Sequence, residues 1–175
     1  MPDVILVNEN DEQIGTMEKI QAHVEGKLHR AFSIFVINNN SEILLQKRAK
    51  GKYHSAGLWS NSCCSHPKPN ENITDASIRR LKEELGISVS SVKQLYSFIY
   101  KAEFENNLIE YELDHVLITN YNGVPEINIE EISDWHYYSI KKIKSMVEEA
   151  PENFTVWLKL ILPEIDKYLS ISEDV

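Results

Sequence analysis

A thiol and an imidazole stand two residues apart in segment 61–67, which reads NSCCSHP and contains Cys64 and His66. Thiols and imidazoles are the side chains that ionise nearest to neutral pH, so such a pair in a loop is suited to proton transfer or to metal binding. Chance placement is a serious alternative for this segment taken alone. The positions of the other reactive side chains must therefore decide between the two interpretations.

The composition favours one compact domain with its own buried core. The chain has 175 residues, 42% of them hydrophobic, and this size predicts a single domain over residues 1–175. The formal net charge of -9 argues against nucleic acid or an anionic membrane as a partner, because both would repel the chain. An anionic small molecule would consequently need a local group of cations.

The cysteine content and the hydropathy pattern both favour the cytoplasm. The two cysteines, Cys63 and Cys64, are adjacent, so they are poorly placed to join distant segments in a disulfide framework. The sequence contains neither an apolar run long enough to span a membrane nor a secretory leader. We therefore expect a cytoplasmic protein without a membrane partner, and the sequence leaves its oligomeric state open, a monomer included.

The hydrophobic pattern predicts an α/β protein of the layered α+β kind. A long loop is expected from Ala49 to Asn72, and loops of this length usually carry function. Thr74 is a candidate cap for the following helix, which Gly86 ends, and Pro163 is expected to interrupt the last helix. The predicted strands are 4–7, 31–37, 43–46, 92–104, 108–119 and 135–138, and the predicted helices are 17–23, 74–85, 140–149 and 154–169.

The helix after this loop resembles the Nudix box. Glu71 is followed, after seven residues, by the run RRLKEELGI at 79–87, and the box asks for Arg-Glu-apolar-any-Glu-Glu-any-Gly-apolar at this spacing. The chain departs from the box at Ser65, where the box has Gly, and at Arg80, where it has Glu. Carboxylates of this helix bind magnesium in diphosphate hydrolases of the fold, so a cation at position 80 removes a ligand and adds a phosphate-binding charge. A plain ion pair between Arg80 and Glu84 is the alternative interpretation.

A wider set of motifs, from Gly15 to Trp157, resembles the type I isopentenyl-diphosphate isomerases, a family of the Nudix fold. The resemblance implies a mixed β-sheet sandwiched between helices. The motifs are GTMEK at 15–19, Ala22-His23, Leu28-His29, Arg48, WSNSCCSHP at 59–67, Arg79-Arg80, Tyr100-Lys101-Ala102, Glu110-Tyr111-Glu112 and Trp157.

The resemblance also implies a metal site of three imidazoles and two carboxylates: His23, His29, His66, Glu110 and Glu112. Such a nitrogen and oxygen set suits a divalent ion in a roughly octahedral site, with Mn²⁺, Zn²⁺ and Mg²⁺ as candidates. The two glutamates are two positions apart in a predicted strand, so they leave the same face. Taken alone, they also fit a solvated acidic strand. His54, His115 and His136 have no counterpart in the motifs and receive no role.

The implied substrate is a small isoprenoid diphosphate. Its phosphates would be bound by four cations, Lys19, Arg48, Lys52 and Arg80, of which Lys52 has neighbouring lysines as competitors. Glu84 would hold a second Mg²⁺ that enters with the diphosphate.

The implied reaction moves a double bond from isopentenyl to dimethylallyl diphosphate through a tertiary carbocation. A proton donor and a base must lie on opposite sides of the substrate, and Cys64 and Glu112 are the two residues expected to flank it, with Tyr100 hydrogen-bonded so as to help shuttle the proton at Glu112. Which of the two gives the proton first stays open. Cys64 is preferred to Cys63 only through its position in the motif. Trp157 would stabilise the cation through its ring face, with plain core packing as the alternative. Hydrolysis of a nucleoside diphosphate derivative and noncatalytic metal binding are the competing functions.

Overall fold

The structure is a computed structural model that describes residues 2–172. Within this range the chain forms nine β-strands, four α-helices and two short 3-10 helices, at Glu105–Asn107 and Pro151–Asn153. The strands are β1 Asp3–Val7, β2 Gln13–Glu18, β3 His29–Ile37, β4 Glu42–Arg48, β5 Trp59–Ser60, β6 Cys63–Ser65, β7 Lys93–Phe104, β8 Leu108–Asn120 and β9 Ile132–Ser139. The helices are α1 Lys19–Glu25, α2 Ile73–Leu85, α3 Ile140–Glu149 and α4 Val156–Ser172.

The sheet is organised around β3. One edge of β3 is shared by β1, β6 and β4, all antiparallel to it, and the other edge pairs in parallel with β8. The register sets Ser33 opposite Cys64 on β6 and sets His29 opposite Glu112 on β8. The thiol strand and the acidic strand therefore lie on either side of one buried strand.

The sheet is covered on both faces, because side chains of a strand alternate between its faces. Phe32, Ile34 and Val36 of β3 pack in a cluster with Leu81 and Leu85 of α2. Phe35 and Ile37 belong instead to a second buried cluster, together with α3 and α4 residues Ile143, Leu158, Ile161 and Ile165. The mixed sheet thus lies between helices, and the predicted fold class is confirmed.

Three details of the elements predicted before β7 are wrong. The expected helix at 17–23 begins only at Lys19, because residues 13–18 form β2 against β1. The expected loop 49–72 contains β5 and β6, which are too short to show an alternating pattern. Asn72, not Thr74, caps α2, since its side chain accepts a hydrogen bond from the Asp75 backbone N–H.

The last helix continues through Pro163 where an interruption was expected. A proline inside a helix costs about 3 kcal/mol, but the fully buried Leu158, Ile161 and Ile165 pack this helix against the sheet. Buried apolar contacts of this kind contribute about 1.5 to 3 kcal/mol per side chain, which outweighs the break. Among the residues that the structure describes, neither this helix nor any other is long and apolar enough to cross a membrane.

Candidate active site

A cavity of about 640 Å³ opens between the sheet, α2, the start of α1 and α4, and the loop at 49–58. Most of the side chains predicted to act in binding or catalysis line it: Lys19, Arg48, Lys52, Cys64, His66, Arg80, Glu84, Tyr100, Glu110, Glu112 and Trp157. The two remaining predicted residues, His23 and His29, are fully buried and their rings lie 6.0 and 5.1 Å from the ring of His66. The structure thus brings all of the predicted site residues together.

Local hydrogen bonds orient the two buried imidazoles. His23 lies on α1, where its Nδ1 contacts the Lys19 carbonyl at 2.7 Å, and Gly26 ends this helix with a positive φ of 61°. The chain can then turn and enter β3 at His29, whose Nδ1 contacts the Lys27 carbonyl at 2.8 Å. A carbonyl accepts a hydrogen bond, so each ring carries its proton on Nδ1 and leaves Nε2 as a free lone pair.

Glu112 lies against two of these rings. Its Oε1 is 2.9 Å from His66 Nε2 and 3.4 Å from His29 Nε2. His23, His29, His66 and Glu112 have ligand atoms within 4.8 Å of one another, and His23 also belongs to such a group with His54 and Glu110. Within residues 2–172, Nε2 of His23 and of His29 has no hydrogen-bond partner.

The cluster fits a divalent metal. Unpartnered buried nitrogens are costly unless something binds them, and a metal ion would satisfy these lone pairs. Burial lowers the pKa of His23 to about 4 and that of His66 to about 3, so both rings are neutral, the form that binds metals. Burial also opposes a charge on His29, but the Glu112 carboxylate 3.4 Å away outweighs this and raises the pKa of the ring. The residues could therefore hold an ion, whose identity they leave open.

The two carboxylates share one tyrosine but have opposite pKa shifts. The Tyr100 hydroxyl lies 2.9 Å from Glu110 Oε2 and 2.8 Å from Glu112 Oε2. Burial, and then the charge of Glu112, raise the pKa of Glu110 well above its usual value. Burial also disfavours the charged form of Glu112, but the adjacent imidazoles of His29 and His66 outweigh it and lower the pKa of this carboxyl. The pKa values of two adjacent carboxyls are thus shifted in opposite directions, as in many acid–base sites.

The Cys64 thiol lies on β6, across β3 from the strand that carries the two carboxylates, and polar groups surround it. It donates to Asn61 Oδ1 at 2.8 Å, and Sγ lies 2.9 Å from Trp157 Nε1 and 3.9 Å from Ser33 Oγ. Burial, and then the charge of Asp114, raise the pKa of the thiol to about 12. The sulfur therefore keeps its proton at neutral pH, and the indole N–H is positioned to stabilise a thiolate once the proton has left.

Trp157 makes a more specific contact than core packing alone requires. Its Nε1 lies 3.0 Å from Ser60 Oγ and 3.2 Å from Asn61 Oδ1, in addition to the thiol. The Arg48 guanidinium lies over its ring, 5.3 Å from the centroid. The edge of the indole thus contacts the Cys64 thiol, and its face makes a cation–π contact with Arg48.

The four predicted cations line one part of the cavity together with acidic neighbours. Arg80 pairs with Glu84, as the alternative interpretation of the helix expected, and lies 3.6 Å from Glu131 Oε1. Lys52 pairs with the other oxygen of Glu131. Glu84 itself is buried and accepts a hydrogen bond from Gln46 at 3.3 Å.

Sequence reasoning missed Glu131, His54 and Asp114. Glu131 lies between the Glu110–Glu112 motif and Trp157, in a segment with no pattern. Asp114 continues the alternation of Glu110 and Glu112. Its Oδ2 accepts a hydrogen bond of 2.7 Å from Ser33 Oγ, the hydroxyl that lies 3.9 Å from the Cys64 sulfur. His54 stands two residues after Lys52 in a loop already expected to carry function, so its position was a usable signal. The other unassigned histidines lie elsewhere: His115 contacts Asp11 at 2.9 Å and His136 packs on Tyr138.

The fold has solved relatives. A crystal structure of a protein from Deinococcus radiodurans superposes with a TM-score of 0.78 and covers 93% of this chain and 98% of that one. At 20% identity this likeness shows the fold alone. The sequence profile of the NUDIX domain matches residues 27–158, so the chain is a member of the Nudix family.

Curated relatives identify the branch of this family. Isopentenyl-diphosphate Delta-isomerase 2 of Photorhabdus laumondii is 48% identical over 159 residues, which cover 91% of this chain and 89% of the relative. Isopentenyl-diphosphate Delta-isomerase of Pectobacterium atrosepticum is 44% identical over 168 residues, covering 96% and 93%. The chain therefore belongs to the isopentenyl-diphosphate Delta-isomerase family.

Proposed function

We propose that this protein interconverts isopentenyl diphosphate and dimethylallyl diphosphate. The observation that carries the proposal is one shared cavity, in which the Cys64 thiol and the Glu112 carboxylate occur together with a group of cations. Curated relatives of this name, 42–48% identical over nearly the whole chain, support the same reaction.

The cations bind the diphosphate of the substrate. Arg48 and Arg80 can each grip phosphate oxygens with two parallel N–H bonds, and Lys19 and Lys52 add compact positive charges. Glu131 pairs with Lys52 and lies near Arg80, so the incoming phosphate replaces this carboxylate as their partner. Glu84 is the residue that would hold a Mg²⁺ brought by the diphosphate.

The double-bond shift adds a proton to the terminal alkene carbon and removes one from the carbon next to the cationic centre. Cys64 holds a proton at neutral pH and Glu112 is ionised, so one group can give a proton and the other can take one. Tyr100 contacts both carboxylates and can pass a proton between them. Trp157 closes the cavity beside the thiol and helps to exclude water, which would trap the cation as an alcohol.

His23, His29, His66, Glu110 and Glu112 would hold a divalent metal. When bound, such an ion would fix the carboxylates in place and change their acidity. The unpartnered Nε2 atoms and the neutral state of His23 and His66 support this assignment.

Reaction in deuterated water tests the proposal directly. The protein is incubated with isopentenyl diphosphate and a divalent metal, and the products are followed by NMR. Deuterium in dimethylallyl diphosphate is the expected result. Release of phosphate or pyrophosphate would support a Nudix hydrolase, and an unchanged spectrum would support a noncatalytic metal-binding protein.

Arg80→Gln is expected to raise the KM for isopentenyl diphosphate about tenfold to a hundredfold and to change kcat less. A charge-assisted hydrogen bond is worth about 1.5 to 3 kcal/mol, and each 1.4 kcal/mol is tenfold in binding. Lys82→Gln is the matched control, since it removes one charge from an exposed position of the same helix. Steady-state kinetics measure both, and equal KM values for Arg80→Gln and the control would refute a role for Arg80 in phosphate binding.

The lowered pKa of Lys19 predicts that substrate binding depends on pH. Burial, and then repulsion from Lys52, lower the pKa of Lys19 to about 8 in the free protein. A bound diphosphate favours the ammonium form and raises this pKa, so binding takes up a proton above pH 8. We expect kcat/KM to fall above pH 8 by up to about tenfold per pH unit, with little change in kcat.

Lys19→Arg provides the control for this pH dependence, because arginine stays charged throughout the range. The decline of kcat/KM above pH 8 should become flatter in this variant. The exposed Lys27→Arg should keep the decline of the unmodified protein. The same decline in Lys19→Arg would contradict the assignment to Lys19.

A further inference from the structure

His54 lies beside the metal cluster although the motifs give it no role. It is 7% exposed, in the loop between β4 and β5. Its ring stacks on Phe104 with centroids 4.7 Å apart and an angle of 14°, and it meets Tyr53 edge-on at 4.4 Å. The rings of Phe104 and Tyr53 pack on two sides of this imidazole and fix its orientation in the cavity wall.

The free nitrogen of His54 faces a carboxylate without bonding to it. Nδ1 contacts Ser55 Oγ at 3.2 Å, and Nε2 lies 3.0 Å from Glu110 Oε1. Despite this short distance, Nε2 has no hydrogen-bond partner among the described residues. Adjacent ligands of an octahedral ion with bonds of about 2.1 Å lie about 3 Å apart, which is the spacing of these two atoms.

His66 and Glu112 repeat this spacing on the other side of the cluster, at 2.9 Å. The two groups of potential ligands overlap at His23: one contains His29, His66 and Glu112, and the other contains His54 and Glu110. His23 Nδ1 is engaged with the Lys19 carbonyl, so Nε2 has a single lone pair and can bind one ion only. An ion bound at this lone pair can therefore draw its other ligands from both groups.

We propose that His54 is a further ligand of the metal, which makes the centre of this chain a set of four imidazoles and two carboxylates. The set of five predicted from the motifs leaves one position of an octahedron open, and His54 fills it. This inference rests on the metal site of the proposed function. Four imidazoles favour zinc or another transition metal over Mg²⁺, which prefers oxygen ligands.

Cadmium NMR tests this inference without any measurement of turnover. The complete protein is labelled with [¹⁵N]histidine and loaded with ¹¹³Cd²⁺, and each bound Nε2 is then split by coupling to the metal. We expect four split Nε2 signals and one cadmium resonance in the unmodified protein. His54→Ala should show three split signals and bind cadmium about tenfold to a hundredfold more weakly.

His136→Ala is the matched control, since it removes an exposed imidazole on β9 and should leave four split signals. Three split signals in the unmodified protein would overturn the inference and leave His54 as a residue that only positions Glu110. Two cadmium resonances would overturn the single coordination sphere. The count in the unmodified protein needs no variant, so poor folding of His54→Ala cannot hide the answer. A failed isomerase assay would leave the count unaffected, so the two proposals can fail separately.

Discussion

Cys64→Ala is expected to lower kcat for double-bond isomerisation about 10³-fold or more while the protein stays folded. A positioned proton donor or base contributes about 10² to 10⁴ in rate, and an unactivated alkene, a very weak base, depends on it strongly. Alanine cannot exchange a proton. Formation of dimethylallyl diphosphate, followed by NMR, measures the loss, and wild-type turnover in Cys64→Ala would refute the role of the thiol.

The structure explains why folding should survive this change. The pairing of Cys64 with Ser33 uses backbone groups, so it persists in the variant. Trp157 Nε1 keeps Ser60 Oγ and Asn61 Oδ1 as hydrogen-bond acceptors, and no buried donor is left unpaired. The free energy of unfolding should fall by only about 1 kcal/mol, which a thermal unfolding curve measures.

Cys63→Ala is the matched control, because it removes the neighbouring thiol from the opposite face of the strand. Cys63 is fully buried in the cluster that packs against α2. Its loss should lower stability and leave kcat within a few-fold of the unmodified protein. Chemistry alone could not separate the two thiols in the sequence, so this pair of variants tests the choice between them.

Glu112→Gln is expected to lose both metal and turnover. The carboxylate contacts His66, His29 and Tyr100, and glutamine keeps its size while removing the negative charge and one acceptor oxygen. A change of this kind at a ligand should weaken metal binding by at least about tenfold. The rate should fall about 10³-fold or more because the base is lost as well.

Metal content by atomic spectroscopy and turnover by NMR separate the two roles of Glu112. Glu103→Gln is the control, since it makes the same substitution at an exposed position of the neighbouring strand. Full metal content with no turnover would mean that Glu112 acts in proton transfer alone. Full metal content with wild-type turnover would contradict both roles.

Much of the fold follows from local patterns in the sequence. The strands at 93–104 and 108–120 and the helix ended by Gly86 have strong hydrophobic patterns and clear end signals, and they occur within two residues of the expected bounds. β2, β5 and β6 have no such pattern, because they are half exposed or only two or three residues long. Helix α4 continues through Pro163 because it is stabilised by packing against residues distant in the sequence, which a local pattern does not show. The single domain over residues 1–175 stays a prediction.

The site was predictable where the motifs reach and not beyond them. Residues as distant in sequence as Lys19 and Trp157 line one cavity, and only the order of the motifs, not any local pattern, linked them. His54 had a signal in its position in a loop expected to carry function, and Glu131 had none. For both residues, a loop sequence does not indicate which way the side chain points. Their positions follow from how the loop at 49–58 folds over the sheet, which is a property of the tertiary structure.

The hydrogen bond between Trp157 and Cys64 joins positions 93 residues apart in the chain. During synthesis the histidines and glutamates emerge from the ribosome first, and the indole emerges only near the end. A nascent chain that lacks α4 therefore contains every proposed metal ligand but not the indole that contacts Cys64 Sγ. The contact between the indole and the thiol thus forms only after residue 157 has been synthesised.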